Sequence, residues 1–390
     1  MSRFTIPRDI YFEDNALEAL ESLEGHKAAL VIGGGSIKKN GHLDLIQKHL
    51  SNAGIETEVF EGYNTEPTVG MVQQGAKDLQ SFQPDWVIGI GGGSAMDAAK
   101  AIWLFYEHPD LSFEDAAKPF QLPKLRNKAK FVGIPTTSGS GSEVSAFSII
   151  TDAETNVKYP LADFELTPDI AVIDPVMVET LPKHIAAYTG MDAFTHAIEA
   201  YVAKPRTLYT NILALGSAEV IKDNLLASAQ GSQDAAAEMH SIQAMAGMAF
   251  TNAVLGIVHS MAHKSGPIFD IPHGYANAIY LPYVIQFNRA EVEDRFAEIA
   301  RRLKLEGSDD AALTDALISY IYQLNEDLGL ATTLQAYGIS EDDFNQHLDQ
   351  MAENALHDPC TGTNPRETSA EQMKEVFKAS FYGDDSLAKI

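Results

Sequence analysis

The sequence predicts an α/β N-terminal domain with a mostly parallel sheet, followed by an all-helical C-terminal domain. In the first half, short apolar segments alternate with glycine-rich turns and helical patterns, which is typical of a parallel sheet covered by helices on both faces. After about Leu181, strand-like segments nearly disappear and long helical patterns dominate. We therefore predict a domain boundary at Pro182–Lys183, which gives domains 1–182 and 183–390.

Length, charge and cysteine content narrow the class of protein. The 390 residues are enough for two domains with cores of their own. A net charge of -26 argues against nucleic acid and anionic membrane surfaces as partners. The only cysteine is Cys360, which excludes an intrachain disulfide and fits a reducing, cytoplasmic location. The N-terminus has no signal-peptide pattern, and the longest apolar segment, 244–258, is too short to cross a bilayer.

The N-terminal domain is predicted element by element from apolar runs and their breakers. Proline, glycine and aspartate mark the ends of these runs, as at Gly54 after a helix and Pro84 before a strand. The predicted strands are 4–6, 10–12, 28–32, 56–60, 86–90 and 131–134, and the predicted helices start at residue 15 and span 41–53, 68–82 and 95–106.

The C-terminal domain is predicted as a series of helices from its apolar periodicity. These helices are 184–202, 208–228, 234–263, 290–304, 309–328, 340–355 and 369–381. The segment KSGPIFDIP, which follows His263, is predicted as a loop that turns the chain back.

Three loops after predicted strands have the composition of a phosphate site. Two strands run into GGGS, at Gly33–Ser36 and Gly91–Ser94, and a third runs into PTTSGSGSE. Glycines let a phosphate approach the backbone, and the following helix N-terminus offers free N–H groups. The spacing is neither GxGxxG nor that of a P-loop, so tight turns and a flexible surface loop remain the alternatives. We interpret the N-terminal domain as dinucleotide-binding.

The first glycine loop bears on which dinucleotide is bound. NAD sites commonly place a carboxylate after this strand to bind the ribose 2′-hydroxyl. Here no acid follows Ile32; small residues are followed by Lys38 and Lys39. This arrangement would accommodate a 2′-phosphate and favours NADP(H) over NAD(H), although the lysines could equally be solvated helix charges.

Four histidines and one aspartate form a candidate metal site. The stretch GIVHSMAHKSGPIFDIPHGY contains His259, His263 and His273, and TGMDAFTHAIEAY places Asp192 and His196 on one helical face. Buried histidines must be hydrogen-bonded, paired or bound to metal. Mixed carboxylate and imidazole donors suit Fe²⁺ or Zn²⁺, whereas satisfied core histidines are the alternative.

These motifs together resemble the iron-containing (group III) alcohol dehydrogenase family. The similarity lies in GGGSAMDAAK, PTTSGSGSE, GMDAFTHAIEAY and HSMAHKSGPIFDIPHGYANA, and it covers nearly the whole chain. VKYPLADFELTPDIAVIDP and CTGTNPR look most like the alcohol dehydrogenase half of bifunctional acetaldehyde/alcohol dehydrogenases. The resemblance implies metal ligands at Asp192, His196, His259 and His273, and an active site in the cleft between the domains. His263 resembles an additional histidine near the nicotinamide, and we expect it to act as the catalytic proton relay.

The resemblance also implies cofactor contacts. Many NAD-using members have an acid where this chain has Gly34, and NADP-preferring members resemble GGGSIKKNG. The expected cofactor-binding residues are Gly34, Gly35, Ser36, Lys39, Gly91, Gly92, Gly93, Ser94, Asp97, Thr136, Thr137, Ser140, Ser145, Lys158 and Leu181.

The expected function is reversible hydride transfer between nicotinamide and short-chain primary alcohols or aldehydes. The expected metal is Fe²⁺, with Zn²⁺ possible in its place, and the expected assembly is a homodimer. Three alternatives stay open: a glycerol-dehydrogenase-type polyol dehydrogenase, a non-catalytic nucleotide-binding protein with a structural metal, and a filament-forming interaction protein.

Overall fold

The computed structural model describes residues 3–63, 67–153 and 157–383. Its backbone divides into two compact units, Met1–Leu181 and Pro182–Ile390. The division falls one residue before the boundary expected from the loss of strand-like segments. Each unit has a core of its own.

The N-terminal unit is built on a parallel sheet. Its strands and those of a small antiparallel hairpin are β1 (Asp9–Phe12), β2 (Lys27–Ile32), β3 (Glu56–Phe60), β4 (Trp86–Gly91), β5 (Lys130–Pro135), β6 (Phe147–Asp152), β7 (Val157–Ala162) and β8 (Ile170–Ile173). Within the described residues the sheet has the order β1-β8-β5-β4-β2-β3, with every neighbouring pair parallel. Strands β6 and β7 form the hairpin. The parallel sheet confirms the predicted fold class.

Helices cover both faces of this sheet. They are α1 (Ser36–Lys39), α2 (His42–Asn52), α3 (Val69–Phe82), α4 (Gly93–Glu107) and α5 (Phe113–Ala116), with 3₁₀ turns at Ala16–Ser22, Phe164–Leu166 and Pro175–Val178. Successive strand residues enter opposite apolar layers: Leu30 and Ile88 pack with α2, whereas Val31 and Val87 pack with α3 and α4. Burial on both faces explains why these strands are continuous apolar runs.

The strand order creates a switch point beside β2. From β2 the chain moves to β3 on one side, and it then reaches β4 on the other side. In open parallel sheets, ligands bind at the carboxyl ends of strands where the order reverses. The GGGS loops that follow β2 and β4 therefore stand at the expected binding edge.

The C-terminal unit is helical throughout its described part. Its helices are α6 (Lys183–Val202), α7 (Leu208–Gln230), α8 (Gln233–Ala253), α9 (Ile257–Phe269), α10 (His273–Arg302), α11 (Asp310–Asp327), α12 (Leu334–Tyr337), α13 (Glu341–Leu356) and α14 (Ala370–Tyr382), with a 3₁₀ turn at Thr361–Thr363. Helix α6 packs against α7, α8 and α10. Because partners lie on several sides, α6 is buried along nearly its whole length from Ala186 to Val202.

The histidine-bearing region differs from the sequence prediction. The predicted helix 234–263 is two helices, α8 and α9, bent by 105° where Val254 has φ +60°. The predicted loop after His263 is helical to Phe269, with Pro267 inside the helix. Helix α10 begins at His273 and not near residue 290, because its first half is buried too completely to show a polar face.

Smaller differences occur in the N-terminal unit. Residues 4–6 form no strand, and the helix expected from Asn15 is a 3₁₀ turn. Strands β6, β7 and β8 were not predicted; each follows a segment rich in polar residues, which hides the apolar pattern. Among the helices in the described ranges, none alone is long and apolar enough to cross a membrane; only the bent pair α8–α9 passes by length and composition.

A buried histidine in α8 makes the stability of the protein depend on pH. His240 is fully buried, and burial lowers its pKa from 6.5 to about 3. Between these values the unfolded chain binds a proton that the folded protein does not, so stability is lost as the pH falls below 6.5. We expect a loss of about 2 kcal/mol between pH 7 and pH 5 that is missing in His240→Asn. Denaturant unfolding of the wild type and the variant at both pH values measures this loss of unfolding free energy. Equal losses in the two proteins would contradict the role of His240.

Candidate active site

Three helices bring the four predicted metal ligands together. Asp192 and His196 lie on α6, His259 on α9 and His273 on α10. The Asp192 Oδ1 atom is 3.8 Å from His196 Nε2, 3.7 Å from His259 Nε2 and 3.6 Å from His273 Nε2. Each histidine thus presents the same ring nitrogen to one carboxylate oxygen.

The donor set fits a divalent ion. Neighbouring ligands of a tetrahedral ion with bonds of about 2.1 Å lie roughly 3.4 Å apart, so the three separations from Asp192 are slightly longer than those of bound ligands. Ligand atoms of Asp192, His196 and His259 all lie within 4.8 Å of one another. One carboxylate with imidazole nitrogens suits Fe²⁺ or Zn²⁺. Asp192, His196 and His259 are buried, whereas the His273 side chain is 37% exposed. One side of the cluster is therefore accessible.

The charges in the cluster favour a cation, either protons or a metal ion, held between Asp192 and the histidines. Burial would raise the pKa of Asp192, but His196, His273 and His259 outweigh it and hold that pKa well below its usual range. Burial would lower the pKa of His259, but hydrogen bonds to Asp192 and Glu199 raise it to about 9. A metal ion competes with protons for such a site, because imidazole must be neutral to coordinate.

Two further buried residues contact the cluster and were not predicted from the sequence. Glu199 Oε2 lies 2.6 Å from His259 Nδ1. Asn277 Nδ2 lies 2.7 Å from Asp192 Oδ1 and 3.1 Å from His259 Nε2. A signal existed in the spacing: Glu199 follows His196 by one helical turn, and Asn277 follows His273 by four residues on the same face.

His263 lies beside the cluster with a carboxylate of its own. Its ring stacks on that of His273 at 5.3 Å between centroids, and its Nδ1 is 3.1 Å from Asp358 Oδ2. Lys264 Nζ is 2.9 Å from the same oxygen. Burial lowers the pKa of His263 against the opposing effect of Asp358, so the imidazole is neutral at pH 7 and oriented by a charged partner.

The glycine loops of the N-terminal unit line a cavity of about 290 Å³. Seven predicted cofactor residues line it: Gly34, Ser36, Gly91, Gly92, Gly93, Ser94 and Thr136. Gly33, Ile37, Tyr63, Ile90 and Ala95 also line it and were not in the predicted set. Gly91 has φ +153°, and a Cβ there would lie 2.5 Å from the Ala95 Cβ, so the turn requires glycine.

The N-terminus of α4 opens onto this cavity. Its first residues, Gly93 and Ser94, are cavity-lining, and its N-cap is Gly92. The free N–H groups and positive end of a 15-residue helix suit a phosphate group. Thr137 and Ser140 pack against this loop, since a Cβ on Gly92 or Gly93 would come within 3.3 Å of them.

The remaining eight predicted cofactor residues do not line this cavity. Among the described residues, the cavity lining does not include Gly35, Lys39, Asp97, Thr137, Ser140, Ser145, Lys158 or Leu181. Asp97 accepts hydrogen bonds from Ser142 Oγ and Ile149 N, and burial raises its pKa to about 6. Ser145 accepts from the buried Lys100 ammonium at 2.7 Å through its carbonyl. Asp97 and Ser145 thus stabilise the loop that follows β5.

One of the two lysines expected to favour a 2′-phosphate has a carboxylate partner. The Lys38 ammonium forms an ion pair with Glu61. Lys39 is exposed at the end of α1. Glu61 therefore offsets part of the positive charge expected at this loop, which the sequence order did not indicate.

Family models match both halves of the chain. One described as iron-containing alcohol dehydrogenase covers residues 7–175, and one described as the C-terminal part of the Fe-containing alcohol dehydrogenase family covers residues 186–381. The NADPH-dependent butanol dehydrogenase of Clostridium saccharobutylicum is 51% identical over 385 residues, covering 99% of each chain. The bifunctional aldehyde-alcohol dehydrogenase of Escherichia coli is 40% identical, and the match spans 97% of this chain but 46% of that protein.

Solved structures share the architecture of this chain. An iron-containing alcohol dehydrogenase from Thermococcus thioreducens superposes with a TM-score of 0.90 at 33% identity, covering 98% of this chain and all of that one. A 1,3-propanediol oxidoreductase superposes with a TM-score of 0.92 at 32% identity, with the same coverage.

The geometry of the cluster predicts the metal content of variants. We expect His196→Ala and His259→Ala each to lose most bound metal, because each removes a donor from a set that shares one ion. His357→Ala is the matched control, since its side chain is exposed and remote in sequence from the cluster motifs. Elemental analysis of proteins reconstituted anaerobically with Fe²⁺ measures the outcome; full metal content in the His259 variant would contradict the assignment.

Proposed function

The chain belongs to the iron-containing alcohol dehydrogenase family and is an alcohol dehydrogenase, and we propose that it reversibly reduces short-chain aldehydes to primary alcohols with NADP(H). The observation that carries the proposal is the convergence of three histidine Nε2 atoms on Asp192 Oδ1. The glycine-lined cavity at the switch point of the sheet supports the nucleotide part.

Asp192, His196, His259 and His273 would hold the metal, which we propose is iron, with zinc able to replace it. A divalent ion in this position supplies Lewis acidity to a carbonyl or alcohol oxygen. Asp192 offsets one unit of its charge, and the neutral histidines add none. The partly exposed side at His273 leaves room for a substrate oxygen to approach.

The dinucleotide would bind with its pyrophosphate at the N-terminus of α4. Gly91–Ser94 allow close approach of the backbone, and Thr136 and Ser36 add hydroxyls to the same cavity. NADP(H) is supported by Gly34, which puts no carboxylate in the cavity wall, and by the NADPH-dependent relative. Because Lys38 pairs with Glu61, Lys39 is the lysine of this segment whose charge would act on a 2′-phosphate.

His263 would move the proton in the alcohol direction. It is neutral, mostly shielded from solvent and held at Nδ1 by Asp358, so Nε2 is the atom that can accept a proton. Asp358 would stabilise the imidazolium that forms, as a carboxylate does for a catalytic histidine. This proton transfer depends on the orientation of the His263 ring as well as on the basicity of its Nε2 atom.

A short apolar substrate is supported by the neighbours of the cluster. The Phe250 ring stacks on His196 at 4.4 Å between centroids. The relative acting on butanol has a substrate of this kind. An apolar wall distinguishes alkyl chains by about 1–3 kcal/mol per methylene, so we expect graded preference and not absolute exclusion. The apolar wall and this relative favour the proposal over a polyol dehydrogenase.

We further propose that the protein is a cytoplasmic homodimer. The lone cysteine fits a reducing compartment. Leu208, Tyr209 and Ile212 are 72%, 67% and 64% exposed on the first turns of α7, and clustered apolar side chains of this kind are common at subunit contacts.

An anaerobic assay of the iron-loaded protein tests the function. Butanal with NADPH should turn over with higher kcat/KM than butanal with NADH, and in the matching oxidation assay butan-1-ol should be preferred to polyols such as glycerol. Preference for glycerol would favour a polyol dehydrogenase. A protein that binds nucleotide but never oxidises NADPH would be a non-catalytic binding protein.

Gly34→Asp is the matched variant for the cofactor part of this assay. A carboxylate in the cavity wall repels a 2′-phosphate and can accept a hydrogen bond from a ribose hydroxyl. We expect the NADPH-to-NADH ratio of kcat/KM to fall at least about tenfold. An unchanged ratio would remove the argument from Gly34 while leaving the metal-dependent reaction in place.

His263→Ala should retain metal and lose rate. Removing a general acid or base lowers turnover by roughly 10²–10⁴-fold, and the pH dependence assigned to that group should disappear. Metal content is measured in parallel, because an unchanged value separates proton transfer from damage to the cluster. A variant with wild-type kcat at every pH would show that His263 has no part in proton transfer.

A further inference from the structure

Glu199 is a buried carboxylate that the proposed reaction does not use. Its side chain is 4% exposed on α6, in the core of the helical unit. Burial of an ionised carboxylate is costly unless hydrogen bonds or charges compensate it. Its two oxygens have separate partners: Oε1 accepts from Val258 N at 2.8 Å, and Oε2 lies 2.6 Å from His259 Nδ1.

The hydrogen bond from Val258 N to Glu199 Oε1 satisfies an N–H group at the start of α9. The chain bends at Val254, and α9 starts after Gly256, which has no side chain to cap the helix. Glu199 and Asn364 supply acceptors from elsewhere in the fold: Ile257 N donates to Asn364 Oδ1 at 3.3 Å. A Cβ on Gly256 would lie 2.7 Å from Glu199 Oε1 and 2.8 Å from Asn364 Oδ1, so glycine lets both acceptors reach the helix end.

The contact between Glu199 Oε2 and His259 Nδ1 determines which ring nitrogen of His259 carries the proton. An ionised carboxylate only accepts hydrogen bonds, so Nδ1 of His259 must carry a proton toward Glu199. The opposite nitrogen, Nε2, is the atom 3.7 Å from Asp192 Oδ1. Neutral His259 therefore has its lone pair directed into the cluster.

We propose that Glu199 is a positioning residue for the metal centre: one oxygen anchors the start of α9, and the other holds His259 in the tautomer and orientation that bind metal through Nε2. The inference rests on the proposed function, because it takes His259 to be a metal ligand. Carboxylate partners of metal-binding histidines typically contribute 10–100-fold to metal affinity.

Glu199→Gln is the sharpest test because it keeps the shape and removes one acceptor. A glutamine has one oxygen and one NH₂ group, so it cannot accept from both Val258 N–H and His259 Nδ1–H. If its oxygen stays on the helix end, the NH₂ group faces His259 Nδ1 and favours the tautomer with the proton on Nε2. We expect the Kd for Zn²⁺, measured against a competing chelator, to rise 10–100-fold.

Asn364→Ala is the matched control. It removes an acceptor from the same helix end but does not touch His259. If the metal affinity depends on the tautomer, this variant should bind Zn²⁺ within about threefold of the wild type. Equal losses in the two variants would mean that Glu199 acts only as a helix anchor and would overturn the proposal, as would wild-type affinity in Glu199→Gln.

A spectroscopic measurement on the unaltered protein does not depend on either variant folding. In zinc-loaded protein with ¹⁵N-labelled histidine, the His259 signal should show a slowly exchanging proton on Nδ1 and metal on Nε2. Metal on Nδ1 would overturn the proposal. His259→Ala distinguishes failure of the metal site from failure of the role of Glu199. If this variant keeps its Zn²⁺, the proposed metal site is wrong. If it loses Zn²⁺ and Glu199→Gln does not, only the role of Glu199 is wrong.

Discussion

The helical unit depends on how a buried negative charge at Asp192 is compensated. A carboxylate in a core of helices is costly unless cations or donors surround it. Here three imidazoles and the Asn277 amide converge on it: His196 from α6 itself, and the others from α9 and α10, which are distant in sequence. The same arrangement that satisfies Asp192 creates a set of donors for a divalent ion, so structural and functional requirements coincide at one atom.

The geometry of that cluster depends on two changes of direction in the chain, one between α8 and α9 and one between α9 and α10. The 105° bend at Val254 ends α8 and directs α9 so that His259 faces α6. Gly256 then admits the Glu199 carboxylate to the start of α9. The segment after Phe269 turns once more, and α10 begins at His273 itself. In the N-terminal unit, the reversal of strand order beside β2 has a comparable role, because it brings two glycine loops to one cavity.

Much of this arrangement could be predicted from the sequence. The alternation of apolar runs with glycine turns predicted the parallel sheet, and the i, i+4 spacing of Asp192 and His196 predicted a shared helical face. The bend within 234–263 could not be predicted, because an apolar pattern continues through it and the break in helical geometry is confined to residues 254–256. Glu199 lies in the same motif as Asp192 and His196, yet its partner, His259, is sixty residues away. The Lys38–Glu61 pair was missed for the same reason.

The sequence by itself determined the chemical types available: carboxylate and imidazole donors, glycine turns and the periods that form sheet and helices. These are local properties, since dihedral freedom, helical spacing and ligand chemistry belong to single residues and their near neighbours. Only the tertiary structure decided which nitrogen of each histidine faces Asp192, which carboxylate holds Nδ1 of His259, and which predicted loop residues line the cavity. Those choices depend on contacts between distant segments, which burial and hydrogen-bond satisfaction select together.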